Sequence, residues 1–349
     1  MRRSARLAAV VLICAATGLL AQGPPAPQKQ SSVALKDLVG QQDPLARHDL
    51  RFDWSFAEQA LAYLRTGNPA ILDQLAASPA AAHMLAHARN FDYQVPKDSA
   101  RALVSHLLTP AAEHQAQAGS CEQSLEFFSG PMLRDPHWIR DALDYLPSDF
   151  HFQGTLFLTF GYDIGVAFGP NASLNCAHRR FDGYERELMY YAIHELHHVG
   201  FMSYHPPPTI PNLKTCADVL RLVEYSTQME GMGVLASLRL RRGLSQVDDD
   251  YAALQDEARM QRDEAQYVKD WTYLRDRGTQ PADAPAWAVM DRMSSGERLW
   301  YRVGARMAMR IERDLGRAAL VELVQRGPQA FFTAYRNVTT PRSFPIGPG

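Results

Sequence analysis

Cysteine is scarce in this chain. Only 4 occur in 349 residues, and Cys14, Cys121, Cys176 and Cys216 stand too far apart to supply the closely spaced thiolates of a cysteine-based zinc site. Charge of one sign is also missing. The 36 basic and 38 acidic side chains leave a formal net charge of −2, so nothing favours nucleic acid or an anionic membrane as partner. Long apolar runs are absent too. The run at residues 7–16 is shorter than a bilayer-spanning helix requires, and no other segment reaches that length. What remains is a chain of ordinary composition, 46% hydrophobic and 21% charged, long enough to bury a sizeable core in one large domain or two.

Arg2, Arg3 and Arg6 precede the short apolar run, and small residues follow it. That order reads as a secretory signal over residues 1–22, with cleavage after Gly18 or Ala21. The mature protein is therefore expected to be exported, periplasmic or secreted, with no stable membrane span. Lipid anchoring through Cys14 is not expected, because Ile13 stands where a small residue normally precedes a lipidated cysteine. For Cys121, Cys176 and Cys216 the sequence leaves two states open: one bridge with one free thiol, or no bridge. Two glycosylation patterns, at Asn171 and Asn337, matter only in a eukaryotic secretory pathway.

Residues 23–52 begin rich in Pro, Gln and Ser and read as a flexible lead-in. Residues 53–149 read as an N-terminal helical region, in segments at 54–65, 69–76, 79–88, 98–108, 110–128 and 137–145 punctuated by Pro and Gly. His83 and His87 share the i, i+4 spacing of a ligand pair, but Met84 stands where a general base would be and no acid lies nearby. They read as structural or surface residues, as do His106 and His114. Residues 150–340 read as the catalytic region. It opens with β-type runs at 155–160 and 165–168, taken as a hairpin or small antiparallel sheet that packs on the next helix or offers an edge strand to an extended substrate.

The chemistry concentrates in that next helix, residues 184–201, which contains His194-Glu195-Leu196-His197-His198. Residues i and i+4 lie one turn apart on one helix face, so His194 and His198 can direct a ring nitrogen at one ion. Glu195 then stands where a carboxylate can take a proton from an attacking water. On a helical projection Leu188, Met189, Ala192, Ile193, Leu196 and Val199 gather on one side. His194, His198, Tyr191 and Glu187 gather on the other, as expected for a helix lining a cleft. His197 points elsewhere and is read as a supporting or surface residue.

A second helix opens at Thr215, with Asp218 three residues on as a capping box, and stops at Gly243. Glu230 projects into the middle of its apolar face. A buried carboxylate without a partner costs several kcal/mol, and coordination to a divalent ion removes that penalty, so Glu230 is the expected third ligand. Gly231 and Gly233, each costing about 1 kcal/mol in a helix interior, make sense if another backbone approaches there. Glu224 is turned about 120° from Glu230 and cannot share the ion. His205 misses the spacing of an H-E-x-x-H-x-x-G-x-x-H pattern. Beyond it, one long charged helix is expected at 247–277. Ser294 and Glu297 read as the cap of a helix reaching Leu315, and two short helices and a Pro/Gly tail follow.

With these segments placed, the chain resembles the gluzincin-type zinc metallopeptidases, and more narrowly a group of zinc-dependent peptidases among bacterial exported proteins. The likeness rests on residues 194–200, on Glu230-Gly231-Met232-Gly233, and on the run Tyr301-Arg302-Val303-Gly304-Ala305-Arg306-Met307-Ala308. The family pattern more often carries alanine where Gly233 stands. The resemblance implies one zinc ion held by His194, His198 and Glu230, water as nucleophile, and a tyrosine steadying the oxyanion, for which Tyr301 is the candidate. The resulting expectation is a predominantly helical α+β protein of zincin-like, two-lobed architecture, with a small antiparallel sheet beside the metal helix. It would hydrolyse peptide bonds with Glu195 as general base. Two alternatives stand beside this: a zinc hydrolase of a non-peptide amide or ester, and a non-enzymatic exported binding protein with a structural metal.

Overall fold

The computed structural model describes residues 31–109, 112–241 and 248–339, without the side chains of 112–116. The secretory signal at 1–22, Cys14, the start of the lead-in, the stop at Gly243 and the C-terminal tail lie outside the described residues. Strands β1 (Ser32–Ala34) and β2 (Asp49–Asp53) pair antiparallel, with Val33 opposite Phe52. Both fall in the stretch expected to be a flexible lead-in, which is corrected from Ser32 onward. Along β2, Leu50 and Phe52 turn into the core while Asp49 and Arg51 face out. This is the period-2 alternation of a half-buried strand.

The helical segments that follow stand close to where their punctuation put them. They are α1 (Ser55–Thr66), α2 (Pro69–Ala76), α3 (Pro79–Asn90), α4 (Ala100–Leu107), α5 (Ala112–Phe127) and the short α6 (Ile139–Leu143). Prolines open α2 and α3, where a missing N–H costs nothing, and the side chains of Asn68 and Ser78 accept from the first free amides.

The sheet departs from expectation. After β3 (Gln153–Thr159) and β4 (Gly165–Phe168) comes β5 (Asn171–Asn175), and β5 lies between them in a five-stranded mixed sheet of order β1-β2-β3-β5-β4. β3 pairs parallel with both β2 and β5, while the two edge strands run antiparallel to their neighbours, β1 to β2 and β4 to β5. The expected hairpin of 155–160 with 165–168 is therefore corrected to a β4–β5 hairpin. Asn-Ala-Ser-Leu-Asn has a polar composition that local propensity places in a loop. It holds as a strand because Ala172, Ser173 and Leu174 are buried between neighbours and Asn171 Oδ1 accepts from Thr155 N at 2.9 Å. Asn171 of the glycosylation pattern is thus committed to the sheet.

The rest is helical: α7 (Arg186–Tyr204), α8 (Cys216–Arg241), α9 (Asp249–Gln255), α10 (Glu257–Arg277), α11 (Ala284–Met293), α12 (Leu299–Leu315), α13 (Arg317–Arg326) and α14 (Pro328–Val338). The capping box at α8 is present: Thr215 Oγ1 accepts from Asp218 N at 3.2 Å and Asp218 Oδ2 from Thr215 N at 2.8 Å. The single helix expected at 247–277 is two, because the Asp256 side chain accepts from Arg259 N and starts α10 afresh. Ser294 does not cap α12 but donates to Met290 O at the end of α11, and α12 begins after Arg298. Helix α7 packs on β4 and β5 with one face and on α8 with another, and α8 packs on α12. The protein is thus predominantly helical with a small mixed sheet, an α+β arrangement.

Candidate metal centre

Leu188, Ala192, Ile193, Leu196 and Val199 of α7 are buried in the core. That fixes the rotation of the helix and leaves Tyr191, His194, Glu195 and His198 lining a cavity of ≈ 540 Å³. Helix α8 crosses opposite with Glu230, whose carboxylate is buried. Glu230 Oε2 lies 3.0 Å from His194 Nε2 and 2.9 Å from His198 Nε2. Two imidazole nitrogens and a carboxylate oxygen, all within 4.8 Å of one another, form the mixed nitrogen and oxygen donor set that suits zinc better than magnesium or calcium. The fit of these residues to a metal ion rests on that convergence.

The crossing depends on glycine at two positions, for two reasons. A Cβ on Gly231 would stand 2.2 Å from the carbonyl carbon of Gly304, so there the expected backbone approach is found. At Gly233 the neighbours are the two imidazoles. A Cβ would stand 2.8 Å from His198 Cε1 and 3.0 Å from His194 Cε1, and the rings would have to tilt to admit alanine. Glycine lets both imidazoles lie directly on the α8 backbone.

Glu195 is 5% exposed and hydrogen-bonds to nothing among the described residues, yet its carboxylate lines the cavity. Burial pushes its pKa up to about 8, with the His198 charge opposing and the Glu230 and Asp163 carboxylates adding to the rise. For Glu230, burial works against ionisation, but the two imidazoles outweigh it and hold the carboxyl below its ordinary range. Gly165 at the head of β4 makes room for Glu195: a Cβ there would meet Oε1 at 2.7 Å.

Tyr301, on α12, also lines the cavity. Its ring stacks near that of His194, with centroids 6.3 Å apart and planes 21° from parallel. The Arg298 guanidinium carbon sits over the tyrosine ring, 3.7 Å from its centroid, and Arg298 Nε donates to Asp250 Oδ2 at 2.9 Å. Burial raises the Tyr301 phenol above its usual value, so it stays a proton donor.

The rejected candidates are held elsewhere. Glu224 accepts from Trp271 Nε1 at 2.9 Å, and His205 Nε2 faces the backbone carbonyls of Val324 at 2.9 Å and Gln325 at 3.1 Å. His83 and His87 are buried, and Tyr162 meets His87 Nδ1 at 3.0 Å. No acid joins them in a ligand cluster among the described residues. His197 is fully buried, so the surface reading of it is withdrawn. Cys121 and Cys176 form a disulfide and Cys216 is a buried free thiol, which decides between the two states left open. Sequence reasoning missed Tyr93 and Asp163, which line the cavity from the end of α3 and the approach to β4. No motif marks either, because a long-range contact brings them together.

Residues 137–342, more than half the chain, match the family model described as "Putative zinc dependent peptidase (DUF5700)". No curated protein and no solved structure matches the chain.

Proposed function

The chain belongs to that family, and on this premise we propose that it is an exported zinc metallopeptidase of gluzincin type. The observation that carries the reading is the meeting of His194 Nε2, His198 Nε2 and Glu230 Oε2 in a cavity that Glu195 also lines. One zinc ion held by these donors would lower the pKa of a water toward neutrality, polarise the scissile carbonyl and return Glu195 to its ionised form. Glu195 then takes a proton from the attacking water and hands it to the leaving amine as the bond breaks. Tyr301, kept protonated, donates its hydroxyl to the oxygen on which charge develops. Arg298 holds the ring of Tyr301 by a cation–π contact.

The edge strand β4 supports a peptide substrate. It is free along one side, and Gly165 at its head touches Glu195, so an extended chain paired with β4 would run past the base. In the two-lobed reading, the sheet with α7 forms one wall of the cleft, and α8 with α12 forms the other. Export is supported by the Cys121–Cys176 disulfide, which persists in oxidising compartments.

The test is metal analysis of the purified protein together with digestion of a peptide library by wild type and Glu195→Gln. One zinc per chain is expected, and Glu195→Gln should keep it while losing hydrolysis by about 100-fold or more. Full hydrolysis by Glu195→Gln, or a protein that takes up no zinc, would overturn the reading.

A further inference from the structure

Six carboxylates line the cleft: Asp92, Asp163, Glu195, Glu230, Asp248 and Asp250. Four are accounted for by charge. Asp92 pairs with Lys97, Asp248 with Arg180, Asp250 with Arg298 and Arg302 at 2.8 Å each, and Glu230 with the two imidazoles. Glu195 is the proposed base. Asp163 is left. It has no lysine or arginine partner among the described residues, and accepts only from neutral donors, the Tyr93 hydroxyl and the backbone N–H of Ile164 at 2.7 Å. An anionic group in a cleft with low-dielectric walls, with no ion-pair partner among the described residues, attracts a cation from outside.

The surroundings hold this carboxylate in place. Helix α3 ends in a tight turn in which Asp92 takes a left-handed backbone with φ 53°, and Tyr93 N donates back to Ala88 O at 3.0 Å. That pattern closes a helix in the manner of a Schellman motif and here turns Tyr93 toward the cleft. The preceding Asn90 fixes the turn from the other side. Its Nδ2 donates to Pro208 O at 3.2 Å and its Oδ1 accepts from Thr209 Oγ1 at 3.0 Å. Asp163 stands two residues before Gly165, so their Cα atoms lie at most ~7 Å apart, and Gly165 touches Glu195. That span is one to two residues of extended peptide from the bond under attack. Tyr93 lies outside the family-matched stretch, so half of this pair comes from the N-terminal helical region.

We propose that Asp163, oriented by Tyr93, is a specificity subsite for a cationic group of the substrate, an ammonium or guanidinium placed within about two residues of the cleaved bond. The inference rests on the peptidase reading and deepens it. Two sources supply this chemistry: the free α-amino group of a short peptide, or a lysine or arginine side chain within a longer one. Asp163 would accept a charge-assisted hydrogen bond from either, while Tyr93 keeps the carboxylate facing the cleft.

The experiment uses zinc-loaded full-length protein and a matched set of peptides. Each peptide carries Lys, Arg, Gln or Glu at one position within two residues of the cleavage site, with the N-terminus free or acetylated. Wild type is expected to favour a cationic group over its neutral counterpart by about 10-fold or more in kcat/KM, mainly through KM. In Asp163→Asn the ratio should fall to near one, and in Asp163→Lys it should invert toward Glu. Loss of the preference on acetylation assigns the α-amino group, and a preference that follows the Lys or Arg position assigns the side chain. Thermal melting checks that each variant folds. If Asp163→Asn does not, Asp163→Ser, which still offers Tyr93 an acceptor, and Asp163→Glu, which keeps the charge, take its place. Hydrolysis by wild type without any cationic preference, or a preference that survives loss of the charge at 163, overturns the subsite and leaves the peptidase reading standing. If zinc-loaded wild type hydrolyses no peptide, the peptidase reading falls and the subsite falls with it.

Discussion

Gly231 and Gly304 meet backbone to backbone where α8 crosses α12. A Cβ on Gly231 would lie 2.5 Å from Gly304 Cα, and one on Gly304 would lie 2.1 Å from the carbonyl oxygen of Thr227. The helix holding the third donor and the helix holding Tyr301 are therefore packed as closely as their backbones allow.

Gly304→Ala should force the two helices apart. Neither opposing atom belongs to a flexible side chain, so the overpacking cost should be at the upper end of about 1–3 kcal/mol. Denaturant unfolding should show that loss, and zinc occupancy should fall with it because Glu230 moves relative to α7. Unchanged stability would mean the crossing is looser than the structure shows.

Glu230→Ala removes one of three donors and leaves both imidazoles in place. Removing a residue that only orients a ligand costs 10–100-fold in metal affinity, and loss of a direct ligand should cost at least ~100-fold. Zinc measured after dialysis, with circular dichroism as a check on folding, decides the point. Undiminished occupancy would remove Glu230 from the site.

Tyr301→Phe keeps the ring contacts to His194 and Arg298 and deletes only the hydroxyl. If that hydroxyl meets developing charge, kcat should fall by about 10²–10³-fold with little change in KM or zinc content. A purely packing role for Tyr301 predicts no change in kcat.

The Cys121–Cys176 bridge closes a segment of sequence separation 55 and ties α5 to the end of β5. Loss of a cross-link over such a loop costs about 4 kcal/mol on the chain-entropy account. Reductant, or Cys121→Ser, should lower the denaturation midpoint of the wild-type protein accordingly. Cys216→Ser should leave the response to reductant unchanged.

His137 lies between two carboxylates, with Nε2 2.9 Å from Asp43 Oδ2 and Nδ1 2.5 Å from Asp135 Oδ1. The hydrogen bond to Asp43, and then that to Asp135, raises its pKa above the ordinary 6.5. Because the folded-state value is the higher one, the stabilising contribution is complete below pH 6.5 and fades as pH rises through the folded pKa. NMR titration of the ring should show this raised value, and Asp43→Asn should bring it down. No difference between the two proteins would mean that Asp43 does not hold the proton.

Local signals carried much of this reading. Helices α2 and α3 began where a proline followed a capping Asn or Ser, and α8 began at Thr215 with Asp218, because caps and first-turn prolines act within one helical turn. The paired imidazoles were legible for the same reason, since i and i+4 on a helix are neighbours whatever the rest of the chain does. Glu230 was legible because a carboxylate at the centre of an apolar face needs an explanation.

Other features depended on partners remote in sequence. β5 is a strand only because β3 and β4 flank it, and Asn-Ala-Ser-Leu-Asn carries no strand signal of its own. The order β1-β2-β3-β5-β4, the charged strand β2 and the burial of His197 likewise follow from which surfaces meet. The sequence by itself determined which side chains could share an ion, since helical spacing and polarity are properties of short segments. Only the tertiary structure decided what surrounds them: the glycine crossing, the disulfide, and the pairing of Tyr93 with Asp163. Each joins residues distant along the chain, and such contacts form only when the whole core packs.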